Sequence, residues 1–212
     1  MPDKHSITDL FFDWDGTLVD SATTGRNAFT KTFDALGIEF TEEFYRANYS
    51  PNWYSMYSAL GLSQDEWKRA DELWLEYYKV EPVRMVDGAY DTLMAVADRG
   101  YKIGIVTSGT QSRVNREIVQ LGLAALLSIV ICNESVVHKK PHPEGLHHAM
   151  ARTNARPEFC SYVGDAPEDI EMGRSAGVMT VGVRSSYPSS SRLDATKPDI
   201  LIESISHLLL HF

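Results

Sequence analysis

Two aspartates one residue apart follow an apolar run, because Leu10-Phe11-Phe12 leads directly into Asp13-Trp14-Asp15-Gly16-Thr17-Leu18-Val19-Asp20. Carboxylates so close repel by about 4 kcal/mol when held roughly 4 Å apart at an effective dielectric near 20. A divalent cation, a shared proton or divergent side-chain directions can offset that repulsion. Asp and Gly also build ordinary solvated turns, so the weight rests on three further segments. Val106-Thr107-Ser108-Gly109 sets a hydroxyl and small residues at the entrance to a helical pattern, where one side-chain donor and several backbone N–H groups can meet a phosphate. Lys139-Lys140-Pro141-His142-Pro143 brings cations into a loop. Val163-Gly164-Asp165-Ala166-Pro167-Glu168-Asp169 adds carboxylates, with Pro167 suited to a first helical position. A few carboxylates completed by water and substrate oxygens are the surroundings Mg²⁺ prefers. His138, His142, His147 and His148 lack the Cys partners or the helical His-Glu-x-x-His spacing of a recognisable zinc site and read as solvated or helix-face residues.

The elements that must position these groups alternate. Strand-like apolar runs cover Ile7 to Phe12, Lys102 to Val106, Ser128 to Ile131, Phe159 to Val163, Val178 to Val183 and Ile200 to Ile202. Between them lie three-and-four-spaced apolar sets (Leu93, Val96 and Ala97; Val114, Ile118 and Leu121; Leu146, Ala149 and Met150), as crossover helices require. In an open parallel sheet, ligands bind beyond the carboxyl ends of the strands, and each of the four polar segments follows such an end. From about Ala22 to Glu81 the alternation breaks and the pattern is helical throughout: Phe29, Phe33 and Leu36 form one stripe, and Ser63 with Glu66 fits a capping box opening a helix whose Trp67, Ala70, Trp74 and Tyr77 share a face. The expectation is a small helical module inserted after the first strand.

Taken in order, these segments resemble the four signatures of the haloacid dehalogenase superfamily, specifically its phosphatase-type members with a helical cap inserted after the first signature. The resemblance spans about Ile7 to His207. It implies a doubly wound, Rossmann-like α/β core of parallel strands from residues 1–20 and 83–212, with an all-helical cap from 21–82. It implies Asp13 as nucleophile and metal ligand, and Asp15 as the acid that protonates the leaving group and later activates water, its backbone carbonyl also binding metal. Lys140 would neutralise nucleophile and phosphate. Trp14, Thr107, Ser108 and Gly109 would join it around the phosphate, with Thr107 also counted among the catalytic groups. Asp165 would bind Mg²⁺ directly, and Asp169 directly or through water or Lys140. An acid must hold a proton, so the Asp15 pKa is expected well above the roughly 3.9 of a free Asp. Dehalogenases of the superfamily lack the second Asp of this signature, which points the chain toward phosphate. Trp14 stands where Leu or Met is common, and Val86-Asp87-Gly88 where an aromatic-Pro-Gly is frequent.

Among such enzymes the cap excludes water and carries specificity. The stretch from Arg46 to Tyr57 is dense in aromatic and polar groups. Arg46 is the candidate to meet an anionic leaving group, with Trp53 and Tyr54 as further substrate contacts. The expected function is hydrolysis of a small phosphate monoester, phosphoglycolate phosphatase-like, through an aspartyl-phosphate. A phosphomutase of the β-phosphoglucomutase type is the alternative, and a non-catalytic phosphate-binding or interaction protein the alternative of another class. No Lys lies between Lys31 and Lys68, which disfavours the Schiff-base chemistry of phosphonatase relatives.

With 212 residues and 43% apolar composition, the chain can bury one substantial core plus a small module. A net charge of −9 without a Lys/Arg run disfavours nucleic acid and membrane surfaces as partners and leaves a small phosphorylated metabolite. Met1 to Ser6 lack the features of a secretory signal, so a cytoplasmic protein is expected. Cys132 and Cys160, each beside a strand-like run, read as small buried hydrophobes.

Overall fold

The computed structural model describes residues 7–80 and 82–212; the reading of Met1 to Ser6, and Glu81 at the edge of the helical module, lie outside them. Six parallel strands, β1 (Asp9–Phe12), β2 (Lys102–Val106), β3 (Leu127–Ile131), β4 (Cys160–Gly164), β5 (Met179–Val183) and β6 (Ile200–Ile202), form one sheet in the order β3-β2-β1-β4-β5-β6. The fold is the expected doubly wound α/β architecture, and every expected strand is present within a residue or two at each end.

Both faces of the sheet are covered, which explains why its strands are apolar without alternation. Leu10 and Phe12 of β1 point to one face and pack with Ile103, Ile105, Val163 and Val181 under α5 (Ala89–Asp98) and α6 (Gln111–Gln120). Phe11 points to the other face and packs with Ile131, Cys160 and Tyr162 under α7 (Glu144–Thr153) and α8 (Pro167–Ser175). Cys132 and Cys160 are free and buried. The chain winds outward from β1 through β2 to β3, then returns to β4 on the other side of β1. That reversal opens a crevice at the carboxyl end of the central strand.

The segment after β1 is helical: α1 (Ala22–Ala35), α2 (Glu42–Asn48), α3 (Trp53–Ala59) and α4 (Gln64–Tyr78) follow one another. Their own core is aromatic, with Phe33, Phe40 and Tyr57 clustered around Phe29. Glu66 accepts the Ser63 backbone N–H at 2.8 Å, the half of the capping box that ties the start of α4. A short α9 (Leu193–Thr196) follows a loop rich in serine, Ser185 to Ser191. Among the described residues no helix is long and apolar enough to cross a membrane.

Candidate active site

The sheet order 3-2-1-4 brings four loops to one crevice. Asp13 continues β1 by donating its N–H to Val163 O at 2.8 Å, which fixes the carboxylate beside the end of β4. Thr107 continues β2 in the same way, its N–H bonded to Ile131 O. Residues 15–19 then turn back sharply: Gly16 donates to Val19 O at 2.8 Å, and Leu18 and Val19 donate to Trp14 O. Gly16 sits at φ +82°, and a Cβ there would lie 2.5 Å from Asp165 Oδ2 and 2.6 Å from the Tyr187 ring. No other residue fits this position without displacing the acid behind it.

Lys140 is the centre of the buried charge. Its ammonium donates to Asp13 Oδ1 at 2.6 Å, to Asp169 Oδ1 at 2.7 Å and to the Tyr162 hydroxyl at 2.7 Å, so all three protons are spent. The Tyr162 hydroxyl in turn donates to Val106 O at 2.7 Å. The loop that delivers Lys140 is fastened by Glu144, whose carboxylate accepts the backbone N–H groups of Val137 and His138 and has its pKa lowered to about 2 by those bonds. His138, His142 and Glu144 do come within ligating distance of one another at the surface, but the Glu144 oxygens are already engaged in this fastening.

Asp13, Asp165 and Asp169 are all buried, and their carboxylate oxygens lie within 4.8 Å of one another. Asp165 accepts Thr17 Oγ1 at 3.1 Å and Ser185 Oγ at 2.6 Å, and Asp169 accepts the Ala166 N–H at 3.0 Å. Gly164 permits that packing, since a Cβ on it would meet Asp169 Cγ at 2.4 Å. Lys140 pairs with two of these carboxylates, Asp13 and Asp169, and leaves Asp165 without a cation, and the shortage of positive charge shows in Asp13 and Asp165. Burial, with the neighbouring Asp169, pushes the Asp13 pKa up to about 7 despite Lys140, and burial with Asp169 and Asp13 pushes Asp165 well above its ordinary value. A buried oxygen-donor cluster short of positive charge is what a hard divalent cation fits. Asp13 and Asp165 face the cavity, whereas Asp169 is turned onto Lys140.

Asp15 departs from expectation. Its carboxylate is gripped by Arg113 through both guanidinium nitrogens, Nη1 at 2.9 Å from Oδ1 and Nη2 in direct contact with Oδ2, and it accepts Ser21 Oγ at 2.6 Å. Burial alone would raise its pKa, but Arg113, by charge and hydrogen bonding, with Ser21, more than offsets that and holds the group below its ordinary value. In this arrangement Asp15 is ionised, placed to accept a proton and not yet to give one. Arg113 is 3% exposed and also pairs with Glu117 at 3.1 Å, while its guanidinium carbon lies 5.7 Å from the Trp74 ring and 5.1 Å from that of Tyr78, both on α4. The Trp14 indole N–H donates to Glu117 at 2.7 Å, so the Trp14 side chain is locked in the core and only its backbone can reach a phosphate.

Above the carboxylates, between the two modules, lies a cleft open to solvent, which Thr107, Ser108, Gly109, Asp13, Asp15 and Arg113 line from the core. Trp53 lines it from the helical module. Tyr54 does not, being bonded to Asp71 and stacked on Trp67, and neither does Arg46, whose side chain is 71% exposed and paired with Glu42. Arg46 therefore stands outside the cavity in this structure, where its i−4 neighbour Glu42 holds it. The modules are joined by Ser50 donating to Glu168 at 3.0 Å, by the Tyr49 ring stacked 4.8 Å from Tyr187, and by the Tyr187 hydroxyl 2.9 Å from Ser21 Oγ. Nothing in the sequence alone marks Arg113, Glu117, Tyr162 or Tyr187 as part of the site. The i,i+4 spacing of Arg113 and Glu117 was the visible signal, but it also describes any surface helix pair.

Comparison with known proteins bears on this geometry. Residues 10–183 match the haloacid dehalogenase-like hydrolase family. A pyrophosphatase, PpaX, of Oceanobacillus iheyensis is 30% identical over 211 residues, covering 96% of this chain and 96% of its own. Among solved structures, a predicted phosphoglycolate phosphatase from Haemophilus somnus superposes with a TM-score of 0.86 at 22% identity, covering 97% of each chain. A β-phosphoglucomutase from Clostridium difficile superposes with a TM-score of 0.77 at 22% identity, covering 95% of this chain and 93% of its own. At such identity the two structures speak to the fold alone.

Proposed function

Since this chain belongs to the haloacid dehalogenase-like hydrolase family and is a hydrolase of phosphate esters, we propose that it is a Mg²⁺-dependent phosphatase acting on a small phosphate monoester through an aspartyl-phosphate on Asp13. The observation that carries this reading is the convergence of Asp13, Thr107 and Asp165 on one cavity, with Lys140 bonded to Asp13 from beneath. Residues 21–82 serve as the cap and residues 1–20 with 83–212 as the catalytic core.

Asp13 attacks phosphorus, splitting one difficult displacement into two easier ones. Thr107 Oγ1 accepts the Gly109 N–H at 3.0 Å, and this turn presents the hydroxyl and the Ser108 and Gly109 backbone to the phosphoryl oxygens. Lys140 holds Asp13 in orientation and offsets charge from beneath. Asp13, Asp165, the backbone carbonyl of Asp15 and, at one remove, Asp169 are the groups that would hold Mg²⁺. Bound there, the ion supplies charge neutralisation for the phosphoryl group. Asp15 transfers the proton in both halves. The described clamp suits the second half, in which a base takes a proton from water. For the first half Asp15 must be protonated, and Arg113 then keeps its charge partner in Glu117.

Full-length protein incubated with a generic phosphate monoester should release inorganic phosphate when Mg²⁺ is present and lose more than about 90% of that activity under a chelator, recovering it when Mg²⁺ is restored in excess. Undiminished turnover in the chelator would remove the metal from the account. Transfer of phosphate between positions of one sugar, without free phosphate, would favour the phosphomutase alternative.

A further inference from the structure

From the walls of the cavity above Asp13, we propose that the physiological substrate carries an uncharged, flat aromatic leaving group, in preference to a carboxylate or a second phosphate. The inference rests on the phosphatase reading and specifies the class of ester.

Three observations carry it. First, the upper walls are rings: Phe29, Tyr45, Tyr49, Trp53 and Trp74 line the cavity from the helical module, and Tyr187 closes it from the core. Aromatic surface of this kind gains most from another flat, apolar group, by offset stacking or edge contact. Second, among the described residues lining this cavity Arg113 is the one Lys or Arg, and it is already matched by two carboxylates, Asp15 and Glu117, at hydrogen-bonding distance. A second anion on the leaving group would lie in a low-dielectric space with no free cation to meet it, beside acids of its own sign. Arg26 and Arg46 do not supply one, because both are held by Glu42 outside the cavity. Third, Ser189 Oγ is fully buried, lines the same cavity and has no hydrogen-bond partner. An orphaned neutral hydroxyl among rings is suited to one polar, uncharged atom on the occupant. The PpaX-type relatives are named for pyrophosphate, whose leaving group is itself a phosphate; this cavity is built for the opposite kind of group.

The test is a matched panel on the full-length protein with Mg²⁺: benzyl phosphate, ethyl phosphate and phosphoglycolate, whose leaving alcohols are of comparable basicity, with pyrophosphate as a fourth arm. Benzyl phosphate is expected to exceed phosphoglycolate and pyrophosphate in kcat/KM by about tenfold or more, with ethyl phosphate between. Trp53→Ala should narrow the benzyl-to-ethyl ratio by raising KM for the benzyl ester. If phosphoglycolate or pyrophosphate is the best substrate, the proposed leaving-group class is wrong and the phosphatase reading survives. If none of the four yields phosphate, the phosphatase reading fails and this inference falls with it. A ratio unmoved by Trp53→Ala would also overturn the assignment of the aromatic wall.

Discussion

Replacing Asp13 by Asn is expected to lower phosphate release by roughly 10,000-fold or more while leaving the melting temperature unchanged or slightly raised. The two halves of this expectation come from one feature. The carboxylate is buried beside Asp165 and shares the Lys140 ammonium with Asp169, and its pKa is pushed up to about 7 by burial and by its acidic neighbours. Without a bound cation, the ionised form is costly to the fold. Asn keeps the shape and can still accept from Lys140, so the fold loses nothing it depends on and is relieved of one buried negative charge. Chemistry, in contrast, loses the oxygen that bonds to phosphorus. Phosphate release by a coupled assay, set beside thermal unfolding of the same two proteins, measures both. A parallel loss of activity and stability would place Asp13 among structural residues.

The second large effect is on stability. Arg113→Met should destabilise the protein by about 3–5 kcal/mol, because it leaves the buried Glu117 and the partly buried Asp15 as carboxylates with no cation between them. For a chain of this size, that corresponds to a fall of roughly 6–20 °C in Tm. Burial already raises the Glu117 pKa with Arg113 in place, and Asp15 adds to that push, so the acid would be left with the Trp14 indole, besides Arg116 at 3.6 Å. Arg113 also lies against the Trp74 and Tyr78 rings, and its loss weakens the seat of α4 on the core. The double variant Arg113→Met/Glu117→Gln should recover part of the loss, since one of the two orphaned carboxylates is then neutral. Chemical denaturation of the single and double variants measures the coupling; additive losses would mean that the pair is not the unit described.

How far the sequence foretold this molecule depends on whether the determining interaction is local. The strands were legible because Leu10, Phe11 and Phe12, or Ile103 and Ile105, are buried on both faces and leave continuous apolar runs. Asp13, Thr107, Lys140 and Asp165 were legible because each follows such a run, and the parallel sheet carries strand ends to one edge. The Asp15 clamp was not legible. Its partner lies 98 residues away on α6, and nothing near Arg113 in the chain distinguishes an inward-facing arginine from one in solvent. The loop from Ser185 to Ser191 carried only a serine bias, yet it supplies Ser185 to Asp165 and the Tyr187 ring to Tyr49. The first contact joins two loops far apart in the chain, and the second exists only once the helical module has come down on the core. Arg46 is the opposite case: its partner in this structure, Glu42, lies four residues before it and is a local signal open to reading.

The central claim is a covalent bond between Asp13 and phosphorus, and it is tested most directly by locating that bond. An aryl phosphate needs little help from an acid to lose its leaving group, so Asp15→Asn should still pass the first step and stall before water attacks. Acid-quenched Asp15→Asn, digested and weighed by mass spectrometry, is predicted to carry one phosphoryl group on the peptide containing Asp13. Steady release of phosphate with no phosphoryl group on that peptide, or a phosphoryl group found instead on Thr107 or Ser108, would contradict the account.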